Sequence, residues 1–260
     1  MTRGANPTTT IALIAGSGAE YIEDLRSVRT LSVDTPYGAH ARGLARGEWH
    51  GQPLIYLPRH GDPHDTAPHR INYRANLWAL KQLGVKTIFA LGAVGGIRPQ
   101  LLSPGLLAVP EQLIDYTWGR EGSFYDGVEQ PLQHIDFTNP FNNGLRGYLL
   151  GAAEQLEVSC LKDGVYGVTQ GPRLETAAEI ERLERDGCDM VGMTALPEAA
   201  LARELGIDYG LLAVVVNAAA GRGRDPVVEE FQQHMAAAVS GALRVVAQAI
   251  SNYVDAGPAG

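Results

Sequence analysis

GVYGVT (164–169), DMVGMT (189–194) and LLAVVVN (211–217) are three apolar runs that decide the predicted fold. Helical patterns separate them, and this alternation favours an α/β layer fold with helices on both faces of one sheet. Ligands of such folds bind just beyond the carboxyl ends of the strands. Any one polar residue there could equally be a turn or cap residue, but three successive strand ends of this kind point to a site. We therefore expect one pocket to contain Glu175, Met193, Thr194 and Asn217.

Composition limits the class of protein. The 260 residues carry 21 basic and 29 acidic side chains, a net charge of −8, which argues against a nucleic-acid partner. The only cysteines, Cys160 and Cys188, suggest neither a disulfide framework nor a thiolate metal site, and a reducing, cytoplasmic location is expected. No apolar run is long enough for a bilayer, and the first ten residues lack the core of a signal peptide.

The chain shows no internal repeat and no linker, so we expect a single domain over residues 1–260 with frayed tails at 1–9 and 255–260. Apolar spacing at the helical period predicts most of the elements. The predicted helices cover 71–83, 143–155, 175–185, 196–205 and 227–253. A hairpin of 44–49 and 54–58, strands at 10–15, 87–91 and 106–110, and a long irregular segment at 114–134 complete the pattern.

Two glycine-rich stretches follow predicted strands. Gly16-Ser17-Gly18 can present backbone N–H groups and a hydroxyl to an anion, although a plain tight turn accounts for it equally well. The run from Gly92 to Gly96 is expected to be a turn that lets a ligand approach the backbone, or a crowded crossover loop. The first stretch is not a dinucleotide fingerprint, because Tyr21 stands where the third glycine should be, and it lacks the lysine of a P-loop.

The loop from Arg59 to Arg70 is dense in charge and histidine. One interpretation is a metal site whose ligands are His60, His64 and His69. Two prolines break any helix that would bring these three side chains together, so the alternative fits better. That alternative is an anion site formed by Arg59 and His60, because a guanidinium fork suits phosphate oxygens.

Taken together, these motifs resemble the trimeric purine nucleoside phosphorylases, in particular their methylthioadenosine and methylthioinosine phosphorylase branch. The matching pieces run in order along nearly the whole chain: GSG (16–18), RHG (59–61), INYRAN (71–76), SFYDG (123–127), GPRLET (171–176) and GMT (192–194). The resemblance implies a mixed, partly barrel-like sheet flanked by helices. It also implies phosphorolysis of a nucleoside, with inorganic phosphate as co-substrate and no metal or organic cofactor.

The resemblance further implies roles for individual residues. Met193 and Leu174 would contact the nucleoside, Asn217 and His60 would be catalytic, and a homotrimer, or a hexamer of paired trimers, is implied. His134, in the long irregular segment, would enter a neighbouring subunit's pocket. The implied phosphate set is Ser17, Arg59, His60, Gly92, Ala93 and Thr194.

Two positions indicate which base is accepted. Methylthioadenosine-type enzymes carry an aspartate where this chain has Asn217 and another where it has Ala219. An asparagine offers a donor to a 6-oxo oxygen and an acceptor to protonated N7. Glu175 accepts from N1–H of a 6-oxopurine but would face a lone pair on adenine, and a buried unpaired carboxylate costs several kcal/mol, roughly. The predicted base is hypoxanthine or guanine.

The start of the last helix is expected to close the 5′ end of the pocket with Val227, Val228 and Phe231. Such an apolar wall suits a thioether, although these residues would equally serve as ordinary core positions. The favoured substrate is 5′-methylthioinosine, within purine salvage. Alternatives are a general inosine and guanosine phosphorylase, a methylthioadenosine phosphorylase, a hydrolytic nucleosidase and a non-catalytic nucleoside sensor.

Overall fold

A computed structural model describes residues 10–18, 22, 24–128, 130–224 and 226–257. These residues form an eleven-stranded sheet flanked by helices. The strands are β1 (Thr10–Ala15), β2 (Arg26–Thr30), β3 (Ala45–Trp49), β4 (Gln52–Pro58), β5 (Val85–Gly96), β6 (Leu107–Ala108), β7 (Gln112–Asp115), β8 (Cys160–Leu161), β9 (Val165–Val168), β10 (Met190–Gly192) and β11 (Asp208–Ala218). The helices are α1 (Tyr73–Gln82), α2 (Asn143–Gln155), α3 (Ala177–Arg185), α4 (Ala195–Glu204) and α5 (Val227–Ala256).

Strand β5 is the centre of the sheet. Along one edge it pairs with β11 in parallel, from Thr87 to Gly96. Along the other edge it changes partner: β1 pairs in parallel as far as Ala90, and β10 pairs antiparallel with Gly95 and Gly96. This register leaves residues 91–94 without a strand partner on that side. The gap between the ends of β1 and β10 is where the site described below is located.

The core lies on both faces of the sheet, and β11 shows why. Its alternate residues Leu212, Val214 and Val216 pack with apolar side chains of α2 and α5. The intervening residues Leu211, Ala213 and Val215 pack with those of α1 and α4. Successive side chains of a strand point to opposite faces, so a run that is apolar throughout must be covered twice. The predicted α/β fold with a mixed sheet and helices on both faces is confirmed.

The glycine-rich run after Leu91 corrects one prediction, because it continues β5 as strand and does not form a turn. The glycines are needed there for close packing. A Cβ built at Gly96 would lie 1.6 Å from the backbone oxygen of Leu101. Glycine is therefore required at this point because two chain segments pack closely against each other. The glycines that had predicted a turn are explained by this close packing.

Several boundaries differ from the predicted ones for local reasons. The helix predicted from Glu175 begins at Ala177, because Thr176 is its N-cap in a capping box with Glu179. Strand β2 is exposed along its length and β8 has two residues, so neither gives a periodic signal. Of the predicted tails, residues 1–9 and 258–260 lie outside the described residues, and α5 includes Asp255 and Ala256.

Candidate active site

A cavity of about 420 Å³ opens in the gap between β1 and β10. Glu175, Met193, Thr194 and Asn217, the four residues expected at three strand ends, all line it. The simple picture of parallel strands ending at one edge does not account for this. Strand β10 runs antiparallel to β5 and overlaps only its last residues, so the ends of β10 and β11 meet across Gly95 and Gly96.

The deep end of the cavity contains a buried ion pair. Arg59, which follows β4, is 2% exposed, and Glu198 on α4 is 0% exposed. Nε and Nη2 of Arg59 donate to the two carboxylate oxygens of Glu198 at 2.9 and 2.8 Å. Nη1 donates at 2.8 Å to the backbone oxygen of Leu91, one of the β5 residues that pair with β11 but not with β1 or β10. The hydroxyl of Tyr209 donates to Glu198 at 2.8 Å.

This pairing leaves two of the five guanidinium N–H groups of Arg59 for a ligand. A Cβ built at Gly16 would lie 3.0 Å from Nη1, so that nitrogen faces the turn after β1, which lines the cavity. Burial acts to lower the pKa of Arg59, but the charge and hydrogen bonds of Glu198 outweigh it and the pKa is raised. Arg59 is a permanent, oriented donor.

His60 lies beside Arg59 and is 7% exposed. Its Nδ1 is 2.8 Å from the backbone oxygen of Thr66, which can only accept, so Nδ1 carries the proton and Nε2 is an acceptor. Burial, together with the charges of Arg59 and His64, lowers the pKa of His60 to about 4. The ring is therefore neutral at pH 7. Nε2 would lie 3.3 Å from a Cβ at Gly16, on the cavity side.

Two further polar groups stand near His60. The imidazole of His64 packs edge-on against it at 4.5 Å between ring centroids, and His64 Nε2 is 3.4 Å from the hydroxyl of Ser17. Thr194 is the N-cap residue of α4 and makes no side-chain capping bond. Ser17, His64 and Thr194 all line the cavity. No group of three His, Cys, Asp or Glu side chains suited to a metal ion occurs in the described part of the chain.

The opposite wall carries the two side chains assigned to the base. Glu175 is half-buried and accepts from the hydroxyl of Thr169 at 2.6 Å. Asn217 is 6% exposed, and its Nδ2 donates to the backbone oxygen of Ala218 at 2.8 Å. That bond assigns the amide orientation and leaves one N–H and Oδ1 of Asn217 for a ligand. Ala219, at the second aspartate position of the resemblance, also lines the cavity.

Apolar side chains close the rest of the cavity. Met193 and Leu174 line it, and so do Val227 and Phe231 from the first turns of α5. Val228 does not line it and is 53% exposed. Val227 and Phe231 lie four residues apart on one face of the helix, and both line the cavity, whereas Val228 is directed toward solvent. This corrects the prediction for Val228.

Two other predicted residues lie elsewhere. Gly92 is not among the residues that line the cavity, whereas the next three residues of β5, Ala93, Val94 and Gly95, all line it. A Cβ at Gly92 would face Leu211 and Tyr166. His134 is exposed and does not line the cavity of its own chain.

Sequence reasoning missed Glu198 and gave His64 no role. Glu198 had a usable signal, since it is the single charge in the apolar run from Ala195 to Ala202. A carboxylate in an otherwise buried helix must find a partner, and Arg59, which directly follows an apolar strand run, was available. His64 had no comparable signal, because its contacts with His60 and Ser17 depend on how the loop folds.

Comparison with known proteins identifies the class. The model of the phosphorylase superfamily matches residues 10–251, and the chain therefore belongs to that superfamily. The family resemblance read from the motifs is confirmed. None of the helices described in the structure is long and apolar enough to cross a membrane.

Individual relatives narrow the comparison. A "Probable S-methyl-5'-thioinosine phosphorylase" of Xylella fastidiosa (strain 9a5c) is 50% identical over 216 residues, covering 83% of this chain and 91% of the relative. The "6-oxopurine nucleoside phosphorylase" of Pyrococcus furiosus is 44% identical over 216 residues, covering 81% and 80%. The structure of methylthioadenosine phosphorylase from Schistosoma mansoni in complex with adenine matches with a TM-score of 0.84 at 30% identity, covering 95% of this chain and 92% of that chain.

Proposed function

We propose that this protein cleaves S-methyl-5'-thioinosine with inorganic phosphate, giving hypoxanthine and 5-methylthioribose 1-phosphate. The observation that carries the proposal is the shared cavity. Arg59, His60 and Thr194, which suit an anion, line the same cavity as Asn217 and Glu175, which suit a 6-oxopurine. Relatives named as S-methyl-5'-thioinosine phosphorylases and 6-oxopurine nucleoside phosphorylases support the same assignment.

Phosphate would bind at the end that holds Arg59. The two unused N–H groups of Arg59 and the hydroxyls of Ser17 and Thr194 are donors for its oxygens, and the Ala93 backbone lies beside them. His60 Nε2 is an acceptor and would take the single O–H of monohydrogenphosphate. This arrangement orients the nucleophile, and orientation supplies much of the acceleration in such a reaction.

The reaction breaks the bond between C1′ and N9 as a phosphate oxygen bonds to C1′. Positive charge builds on the sugar, as in glycoside hydrolysis, and negative charge builds on the departing purine. Overall, the proton of monohydrogenphosphate ends on the base. Asn217 stabilises the purine as N7 becomes protonated, with Oδ1 as the acceptor for N7–H and the free N–H directed to the 6-oxo oxygen.

Glu175 and the apolar end set the specificity. The Glu175 carboxylate accepts from N1–H of a 6-oxopurine, whereas adenine offers a lone pair there. Val227 and Phe231 would contact the 5′ group, where a methylthio group buries apolar surface and a hydroxyl finds no partner.

The test compares phosphate-dependent base release from methylthioinosine, methylthioadenosine, inosine and adenosine. Methylthioinosine should be cleaved fastest, and omitting phosphate should abolish release. If inosine were cleaved as fast as methylthioinosine, the assignment of the base would stand and that of the 5′ group would fall. The protein would then be a general purine nucleoside phosphorylase. A preference for methylthioadenosine would contradict the roles of Asn217 and Glu175. Cleavage without phosphate would indicate a hydrolase.

A matched variant tests the base assignment directly. Asn217→Asp replaces the amide with acceptors only, so a 6-amino group gains a partner and a 6-oxo group loses one. Activity on methylthioadenosine should rise relative to methylthioinosine. Unchanged selectivity would contradict the proposed contact between Asn217 and the 6-position.

We also propose that the protein acts as a cytoplasmic homotrimer without a cofactor, and that His134 contacts the nucleoside of a neighbouring subunit. Support comes from the segment that carries His134, where Trp118, Val128 and Leu132 are 73%, 86% and 65% exposed. Light scattering gives the assembly state. His134→Ala should raise the KM for nucleoside in a trimer, and activity should survive chelator and dialysis. A fully active monomer would contradict the subunit proposal.

A further inference from the structure

The guanidinium of Arg120 has no free donor. Its Nε is 3.3 Å from the side-chain oxygen of Gln170. Nη1 donates to the backbone oxygens of Met193 at 2.8 Å and Leu196 at 2.6 Å. Nη2 donates to the backbone oxygens of Thr169 at 3.1 Å and Gln170 at 2.9 Å. All five N–H groups are used, so Arg120 has nothing left to offer a ligand.

Apart from the hydroxyl of Tyr73 on α1, which lies 3.4 Å from Nη1, the partners of Arg120 belong to two strand ends. Thr169 and Gln170 follow β9, and Met193 and Leu196 follow β10. The last pair of the β9–β10 ladder is Val168 with Gly192, and the backbone N–H of Thr169 still donates to the oxygen of Gly192 at 2.8 Å, so the two chain segments diverge beyond that bond. Arg120 spans the divergence with charge-assisted bonds to four backbone oxygens on the two segments.

These two segments carry different contacts of the cavity. Thr169 donates its hydroxyl to Glu175, on the base side, at 2.6 Å. Met193 itself lines the cavity, on the side assigned to the sugar in the proposed function. In that assignment a nucleoside would touch both segments, a free purine the first and phosphate the second.

We propose that Arg120 is a positioning residue that fixes the spacing between the base contacts and the sugar contacts of the cavity. The proposal rests on the proposed function, because it takes the ligand to be a nucleoside that spans both segments. It predicts a selective defect. Ligands that span both segments should bind with lower affinity when Arg120 no longer fixes the spacing. Ligands that touch only one segment should keep their affinity.

The test uses Arg120→Lys and Arg120→Met, with Arg146→Lys as the matched control. Arg146 likewise donates to two backbone oxygens, but these belong to Pro110 and Lys162, which do not line the cavity. Lysine retains the charge but has a single nitrogen, so it cannot hold both segments. If Arg120→Met does not fold, Arg120→Lys decides the question.

Calorimetry measures dissociation constants for methylthioinosine in the absence of phosphate, for hypoxanthine and for phosphate. In Arg120→Lys we expect the methylthioinosine constant to rise about tenfold, with the other two within about threefold of wild type. Arg146→Lys should leave all three unchanged. Equal rises in all three, or no rise beyond that of Arg146→Lys, would overturn the positioning role. A wild-type protein that binds none of the ligands would instead overturn the proposed function.

Discussion

The two ends of the cavity are built in opposite ways. At the end proposed for phosphate, Arg59 and Glu198 are buried in the core and hold each other with two hydrogen bonds. At the end proposed for the 5′ group, Val227 and Phe231 are only half-buried, at the beginning of a helix. That first turn is attached to the sheet by Glu230, which accepts from the backbone N–H of Ala218 at 2.8 Å.

The difference follows from the chemistry each end must perform. An anion needs donors that are already oriented, and a buried guanidinium is tolerated only with a fixed partner. An apolar group needs only surface of the right shape, which peripheral side chains can provide. The end proposed for phosphate is therefore part of the core, and the end proposed for the 5′ group can change without disturbing it.

The largest effect is expected from Glu198→Gln. Removing the partner of a buried charge costs about 3 kcal/mol or more, and the guanidinium of Arg59 loses its fixed orientation. Urea unfolding should show the loss, and the KM for phosphate should rise more than the KM for nucleoside. Tyr209→Phe removes only one hydrogen bond to Glu198 and should cost about 1 kcal/mol. Equal stabilities of the two variants would contradict a core-built phosphate end.

The next largest effect concerns the stability of the protein at acidic pH. His60 has a pKa of about 4 in the folded protein, below its ordinary value of 6.5, because it is buried. Between these values the unfolded chain binds a proton that the folded protein does not, so stability falls as pH falls from 6.5 to 4. The contribution is at most about 3 kcal/mol. Urea unfolding across this range should show a shallower loss for His60→Gln than for a variant of the exposed His234. If the free energy of unfolding changed with pH identically in the two variants, His60 would not be the source of the acid sensitivity.

Asn217→Ala tests the wall between the two ends. Loss of one group that stabilises developing charge typically lowers kcat by about a hundredfold. The KM for phosphate should change little, because Arg59 and His60 are untouched. Asn142→Ala, which removes the N-cap of α2, serves as a control for stability alone. An undiminished kcat in Asn217→Ala would remove Asn217 from the mechanism.

The smallest effect is expected at the 5′ end. Phe231→Ser should lower the ratio of kcat/KM for methylthioinosine over inosine about tenfold, since one apolar contact is lost. Val228→Ser should leave the ratio unchanged, because Val228 points away from the cavity. Equal effects of the two substitutions would mean that the apolar wall is not built as described.

The sequence predicted those parts of the fold that depend on local pattern. Strand Thr10–Ala15 and helix Asn143–Gln155 have the predicted bounds, because apolar periodicity determines both. Glu175 and Asn217 were found because each is a polar side chain placed just beyond or at the end of an apolar strand run. These signals are all contained in short stretches of chain.

The remaining features depend on contacts between distant segments. Glu198 pairs with a residue 139 positions away. Arg120 binds carbonyl groups that only the folded strands bring together. Val228 was misplaced because the packing of neighbouring elements decides which side of a helix faces a cavity, and the sequence of the helix alone does not reveal it.

The exchange of partners along β5 has a consequence for how such proteins diversify. The cavity exists because one edge of this strand pairs with two neighbours in succession, and the interval between them is set by the lengths of β1 and β10. Lengthening either strand by a few residues would close the interval and abolish the site. Changes in surrounding loops and in the last helix leave the interval open. Such an arrangement allows the end proposed for phosphate to stay constant while the residues that contact the rest of the substrate vary in evolution.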